Sequence, residues 1–179
     1  MNILETERLL LRTVEVEDAP FYLNLVNDPA FIANIGDRGI RNLASARDAI
    51  TNGPVKMQAT LGHSIYLVQL KASGVAVGMS GLIKRDTLED VDIGYAFLPP
   101  YRGQGYALEA ARAVVEYART TMVLPRLVAI TSPENNASNA LLEKIGMRFD
   151  KMVYLTPEDT GTRLYRMTLS DPQTNSDAR

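Results

Sequence analysis

The stretch DIGYAFLPPYRGQGYALEAARAVVEYA, residues 92–118, sets a β-prone run against a helix-forming run with only a short turn between them. Pro99 and Pro100 end the first run, and Gly103 and Gly105 supply the turn. RLVAITS, residues 126–132, then reads as a second strand. A strand, a helix and another strand in that order predict a right-handed crossover, which confines the chain to α/β architectures. A helix preceded by Gly-x-Gly also leaves several backbone N–H groups unpaired at the positive end of its dipole, and such a place favours an anion such as phosphate.

Short motifs of this kind have several readings. A P-loop would need Gly-Lys-Ser/Thr after the turn, whereas Gly105 is followed by Tyr106 and Ala107. A dinucleotide fingerprint would end in Gly or Ala where Leu108 stands, with an acidic residue near 125 that is absent. A third reading is a plain turn and helix cap, and it stays open on these residues alone.

Around this unit, RLLLRTV (8–14) reads as a strand and VEDAPFYLNLVNDP (16–29) as a helix with Pro20 in its first turn, stopped by Asn27, Asp28 and Pro29. The region from Ala30 to Gly53 reads as a loop and then a helix ending at Asn52 and Gly53. SIYLVQL (64–70), VAVGMSGLIK (75–84) and DVDIGYAFL (90–98) form an expected antiparallel meander. NNASNALLEKIGM (135–147) reads as a helix closed by Gly146, and two β-prone runs follow near 149–155 and 163–169. The expected order is β-α-α-β-β-β-α-β-α-β-β in a single domain over residues 1–169, with a disordered tail over 170–179. On the central helix, Ala107, Ala111, Val114 and Ala118 share a face, and Glu109, Arg112, Glu116 and Arg119 are spaced for charge pairs.

Composition removes several kinds of function. The chain has no cysteine and one histidine, His63, so thiolate or histidine metal centres and a cysteine nucleophile are excluded, and no metal is expected. Its 19 basic and 21 acidic residues nearly balance without a basic cluster, which argues against nucleic acid as a partner. No run approaches the length of a bilayer span, and MNILETERLLLRT lacks the basic start and long apolar core of a signal peptide. A cytoplasmic protein with no membrane partner is the expectation.

The longer context of the turn is more specific. RGQGYA, residues 102–107, fits the pattern Arg/Gln-x-x-Gly-x-Gly/Ala after a strand and resembles the acetyl-CoA loop of the Gcn5-related N-acetyltransferase (GNAT) superfamily. ETERLLLRTVEVEDA resembles the opening of its RimJ/RimL type, and SPENNASNALLEKIGM its second CoA-contacting motif, so the likeness covers residues 5–169. The resemblance implies a GNAT fold: a mixed, mostly antiparallel central sheet whose central strands splay, flanked by about four helices. It implies acetyl-CoA as cosubstrate, with backbone groups of Arg102, Gly103, Gln104, Gly105, Tyr106 and Ala107 on the pyrophosphate. The strand end at Phe97 and Leu98 would pair with the pantetheine arm, and Asn135 matches the family's cofactor-contacting asparagine. Helix capping is a competing explanation for Asn135 and Ser138.

Acetyl transfer from a thioester needs a neutral amine, a polarised carbonyl and a stabilised thiolate. A backbone N–H near Phe97 can meet the oxyanion. Ser138 matches a serine to which the RimL-like group assigns a proton or a water-mediated hydrogen bond to sulfur, and the tyrosine used by many relatives is missing from 138–146. Asp92 shares a strand face with Gly94 and is a candidate base, directly or through water, against the reading of a carboxylate on a solvated face. Glu109 reads as a first-turn residue matched to the helix dipole, and His63 as a loop residue. The resemblance implies direct attack by an amine acceptor in a ternary complex. A protein N-terminal α-amine is favoured over a small-molecule amine or a non-catalytic acyl-CoA sensor, with an acceptor pocket built from residues 30–53 and the late strands. Homodimers are common in the family.

Overall fold

The computed structural model describes residues 1–170. The tail expected beyond Ser170 lies outside the described residues. Strands β1 (Asn2–Glu5) and β2 (Leu9–Thr13) form an antiparallel pair at one edge of the sheet. Helices α1 (Ala19–Val26), α2 (Pro29–Asn34), α3 (Leu43–Ile50) and α4 (Lys56–Leu61) then lead to β3 (Ile65–Leu70), β4 (Ala76–Ile83) and β5 (Asp92–Phe97). Helix α5 (Tyr106–Thr120), β6 (Arg126–Thr131), α6 (Asn136–Lys144), β7 (Arg148–Val153) and β8 (Thr162–Thr168) complete it. One sheet of eight strands runs in the order β1-β2-β3-β4-β5-β6-β8-β7, and every neighbouring pair is antiparallel except β5 with β6. This is the mixed, mostly antiparallel sheet expected from the sequence.

Three features differ from the expected order, the first being α2, a helix that runs into the stretch after Ala30 expected as a loop. The apolar run at the N-terminus is a strand of its own, β1, which pairs back onto β2 after the turn at Thr6–Arg8. The helix expected to stop at Asn52 and Gly53 continues instead through residues 51–55 in π geometry and on into α4. Pro54 has no N–H for an α-helical bond, and a widened turn lets the chain pass it without stopping. Termination falls to Gly62, at φ 74°. The helical punctuation at α2 is also local: Asp28 accepts from the Phe31 N–H, 3.1 Å, and Pro29 opens the first turn.

The sheet separates two cores. On one face Ala110, Ala111, Val114 and Ala118 of α5 and Leu142 of α6 pack on Leu11, Tyr66, Val77, Phe97 and Leu127. On the other, Leu25, Val26, Ala46 and Ile50 of α1 and α3 pack on Leu67 and Met79. The small residues of α5 let it lie close to the strands, and an alanine at Gly78 would put its Cβ 2.5 Å from the Phe97 ring. Gly78 thereby fixes the Phe97 ring against β4 at the strand end that leads into the turn.

Candidate active site

The site begins where the sheet fails to close. Asp92 of β5 stands opposite Val128 of β6, with the Val128 N–H bonded to the Val91 carbonyl at 3.0 Å, and the pairing goes no further. On its other side β5 stays paired with β4 through Phe97, which lies opposite Gly78. The Leu98 N–H bonds to the Val77 carbonyl at 3.0 Å. Hydrogen-bonding residues alternate along an antiparallel pair, so Tyr95 and Phe97 turn their own N–H and C=O groups away from β4 and toward the gap. That edge can take an extended ligand as it would a strand. Of the two residues expected to do so, Phe97 keeps only its N–H turned to the gap, because its carbonyl accepts from Arg102 Nε, and Leu98 has both backbone groups used within the chain, its carbonyl accepting from the Tyr101 N–H.

The gap opens onto the turn before α5. Gly103 and Gly105 have φ of 73° and 82°, conformations that suit glycine, and Gly105 stands at the N-cap with no side chain to bond the helix. Among the described residues no acceptor is found for the backbone N–H groups of Gly103, Gln104, Gly105, Tyr106, Ala107 and Leu108; the ladder starts with Glu109 N–H to the Gly105 carbonyl. A helix start leaves four such donors, and here the turn adds two more on the same approach. The donor set suits a diphosphate.

Side chains brace this turn from behind. The Arg8 guanidinium donates to the Gln104 carbonyl at 2.9 Å and to Glu109 at 2.7 Å, and lies 4.4 Å from the centre of the Tyr106 ring. Glu109 also accepts from the Thr6 hydroxyl and the Arg8 N–H, so it ties the β1–β2 turn to the first turn of α5. Burial pushes the Glu109 carboxyl up, but these donors outweigh it and hold the group below its ordinary range. Arg102 folds back: its Nε donates to the Phe97 carbonyl at 2.9 Å and its Nη2 to Asp28 at 2.6 Å. Its side chain therefore links the turn to α2, and what it offers outward is backbone. Arg8, Thr6 and Asp28 were not singled out in the sequence, because their partners lie some 70 to 100 residues away.

Across the gap stands α6. Asn135 Oδ1 accepts from the Ser138 N–H at 3.2 Å, the capping role weighed for it in the sequence. Asn139, buried, accepts from the Thr131 hydroxyl at 2.5 Å and fixes α6 to the end of β6. Ser138 is thereby held toward β5, where its Oγ lies 2.5 Å from the Tyr95 hydroxyl. Tyr95 is the residue that sequence reasoning missed. Tyrosine was sought on the helix near Ser138, and it comes from the strand 43 residues earlier.

Asp92 is not on a solvated face. Its side chain is 1% exposed and Oδ2 accepts from Arg85 Nε at 3.2 Å, while Oδ1 is buried without a partner among the described residues. Burial pushes its carboxyl up and Arg85 only partly offsets this. Strand alternation places Asp92 with Gly94 and Ala96 on the face of α1 and α3, opposite Tyr95 and Phe97 on the face of α5 and α6. The structure thus brings Ser138 to the gap on one face and Asp92 to its closed end on the other. His63 does precede β3 in a loop, but it is buried, with Nδ1 donating to the Leu82 carbonyl at 3.1 Å, and its role is structural.

No helix among the described residues is long and apolar enough to cross a membrane. The GNAT acetyltransferase domain family matches residues 8–148. The uncharacterized protein YkkB of Bacillus subtilis (strain 168) is 30% identical over 153 residues, 84% of this chain and 87% of its own. The uncharacterized N-acetyltransferase p20 of Bacillus licheniformis is 27% identical over 150 residues, 83% of each chain. Among solved structures, an acetyltransferase from Agrobacterium tumefaciens str. C58 matches with a TM-score of 0.78 at 29% identity over 92% of both chains. RimL, the ribosomal L7/L12 alpha-N-protein acetyltransferase in complex with coenzyme A, shares the fold at a TM-score of 0.79 and 17% identity, over 94% of this chain and 98% of that one. The chain belongs to the GNAT family: it is an N-acetyltransferase whose cosubstrate is acetyl-CoA.

Proposed function

We propose that the acceptor is the α-amine of a protein N-terminus and that it attacks the thioester directly. Acetyl-CoA supplies an activated acyl group; the chain supplies orientation, an oxyanion donor, a group facing the sulfur and a proton acceptor. The N–H groups of Gly103 to Leu108 hold the pyrophosphate, the β5 edge at Tyr95 aligns the pantetheine arm, and the Phe97 N–H donates to the oxyanion. Asn135 orients α6, and Ser138 faces the leaving sulfur. Asp92 takes the proton released by the amine, through water, because its own side chain is closed to bulk solvent.

The observation that carries the choice of acceptor is the Asp92–Arg85 pair. A carboxylate clamped by a guanidinium is a weak base, even with its affinity for a proton raised by burial. An α-amine of pKa about 7.8 is roughly 10% neutral at pH 7, whereas a lysine amine near 10.4 is about 0.04% neutral. A weak base suffices for the first and serves the second poorly. RimL, whose name states action on a protein α-amine, supports the reading through fold alone. The same reading places the enzyme in the cytoplasm, beside acetyl-CoA and newly made N-termini.

The test is an acceptor panel with acetyl-CoA: peptides with a free α-amine, the same peptides blocked at the α-amine but carrying lysine, and small amines including polyamines and aminoglycosides. Turnover confined to free α-amines is expected. Turnover of small amines with none on peptides overturns the assignment and leaves a small-molecule acetyltransferase; binding of acetyl-CoA with no turnover of any class leaves a sensor.

A further inference from the structure

We infer that Tyr95 is a positioning residue for thiolate departure, its phenol donating to Ser138 Oγ so that the serine proton is aimed at the sulfur. The inference rests on the placing of Ser138 beside the leaving group and adds to it a residue from a different element. The two hydroxyls are 2.5 Å apart, and the phenol is also 3.4 Å from the Ser138 carbonyl. A serine hydroxyl has one proton and can rotate it freely. With Asn135 on the Ser138 N–H, the backbone of that residue is fixed but the rotor is not. A phenol donating to Oγ occupies one of the three positions around that oxygen and so narrows the directions open to the serine proton, leaving the one into the gap available.

The chemistry favours a donor over an acid. A simple thiol has a pKa of about 8.5 and a hydroxyl such as water about 15.7. A full proton transfer from Ser138 to thiolate would therefore run strongly uphill, while a hydrogen bond to the charge stabilises it without transfer. When the C–S bond breaks, its electron pair goes to sulfur, the Ser138 O–H bonds to that charge, and solvent later supplies the proton that makes the free thiol. Tyr95 keeps its own proton throughout: burial pushes its phenol up to about 12, the bond with Ser138 only partly opposing this. A phenol that stays protonated across the working range is a fixed donor. Its bond to Oγ also polarises the serine, and hydrogen bonds in such chains strengthen one another.

Titration of the thiol of bound CoA, followed by thiolate absorbance in the ultraviolet, tests this without an acceptor. In the unaltered protein the bound thiol is expected to titrate about one unit below its value in Ser138→Ala, the size of one hydrogen bond to a charge. Tyr95→Phe is expected to recover most of that unit, with CoA affinity at neutral pH unchanged because the thiol is then neutral. Turnover should fall about tenfold in Tyr95→Phe, and the double variant should be no slower than Ser138→Ala alone, since Tyr95 acts only through the serine. A thiol that titrates alike in the unaltered protein and in Ser138→Ala removes Ser138 from the sulfur and this inference with it. A lowered thiol that Tyr95→Phe leaves lowered overturns the role of Tyr95 alone. Loss of CoA affinity in Tyr95→Phe, or additive losses in the double variant, makes Tyr95 a packing residue.

Discussion

Two helix N-termini face the same gap and are finished in opposite ways. At α6 the chain spends a side chain, Asn135, to satisfy a helix donor, and that closed start holds Ser138 in place. At α5 no side chain caps the helix, and the N–H groups of Gly103 to Leu108 are left without acceptors among the described residues. Against a capping side chain, glycine at an N-cap costs only about a few tenths of a kcal/mol, so α5 gives up little stability by leaving its start open. The difference separates two uses of one structural element. A capped start fixes a side chain; an uncapped one leaves the backbone to a ligand.

The largest effect should come from spoiling the open start. Gly105→Val forces a β-branched residue to φ 82°, with Arg8 Nη2 3.3 Å from the new Cβ. Losing two charge-assisted bonds at about 1.5 kcal/mol each should weaken CoA binding about a hundredfold. Calorimetric titration with CoA measures this. Gly103→Ala makes a useful control: its φ is 73° but no atom lies within 4 Å, so it pays strain of about 1 kcal/mol without a clash. Equal losses of affinity in the two would mean that backbone strain, not obstruction of the donors, is what matters.

The two ends also differ in how far they could be read from sequence. The α5 start was legible because its signal is local: Gly-x-Gly between a strand and a helix fixes both the turn and the dipole within a few residues. The crossover, the meander and the late strands were legible for the same reason. Tyr95 was not, because the contact with Ser138 arises only when β5 and α6 are brought together across the sheet gap. Arg8 and Asp28 were hidden likewise. β1 was missed because four residues carry too little alternation, and the helix through Pro54 because Asn52 and Gly53 read as its stop and a π turn has no sequence signature to set against them.

A smaller effect should follow from opening the closed start. Asn135→Ala removes the acceptor of the Ser138 N–H and should cost about 1 kcal/mol, or roughly 2–4 °C in Tm for a chain of this size. Asn135→Asp keeps an acceptor and should restore most of it, which a melting curve of each variant reads. CoA affinity sharpens the contrast between the two starts: Asn135→Ala should change it far less than Gly105→Val does. A comparable loss would mean that Asn135 holds the cofactor itself, through the Nδ2 that its capping role does not use.

The smallest effect concerns the brace behind the open start. Glu109 is held below its ordinary pKa: burial opposes ionisation, but Thr6 and Arg8 outweigh it by donating to the charged form. A carboxyl whose folded pKa is depressed binds fewer protons folded than unfolded. Its stabilisation is therefore complete above the ordinary carboxylate range and is lost as pH falls through the folded value. Glu109→Gln should lower Tm modestly at neutral pH and flatten the decline of Tm in acid, where the unaltered protein loses this contribution. Because Arg8 also grips the Gln104 carbonyl, the same variant should loosen CoA at neutral pH by a few-fold, less than either glycine replacement. An acid limb of the melting profile identical to that of the unaltered protein would assign the brace to geometry alone, with Thr6 and Arg8 held equally well by an amide.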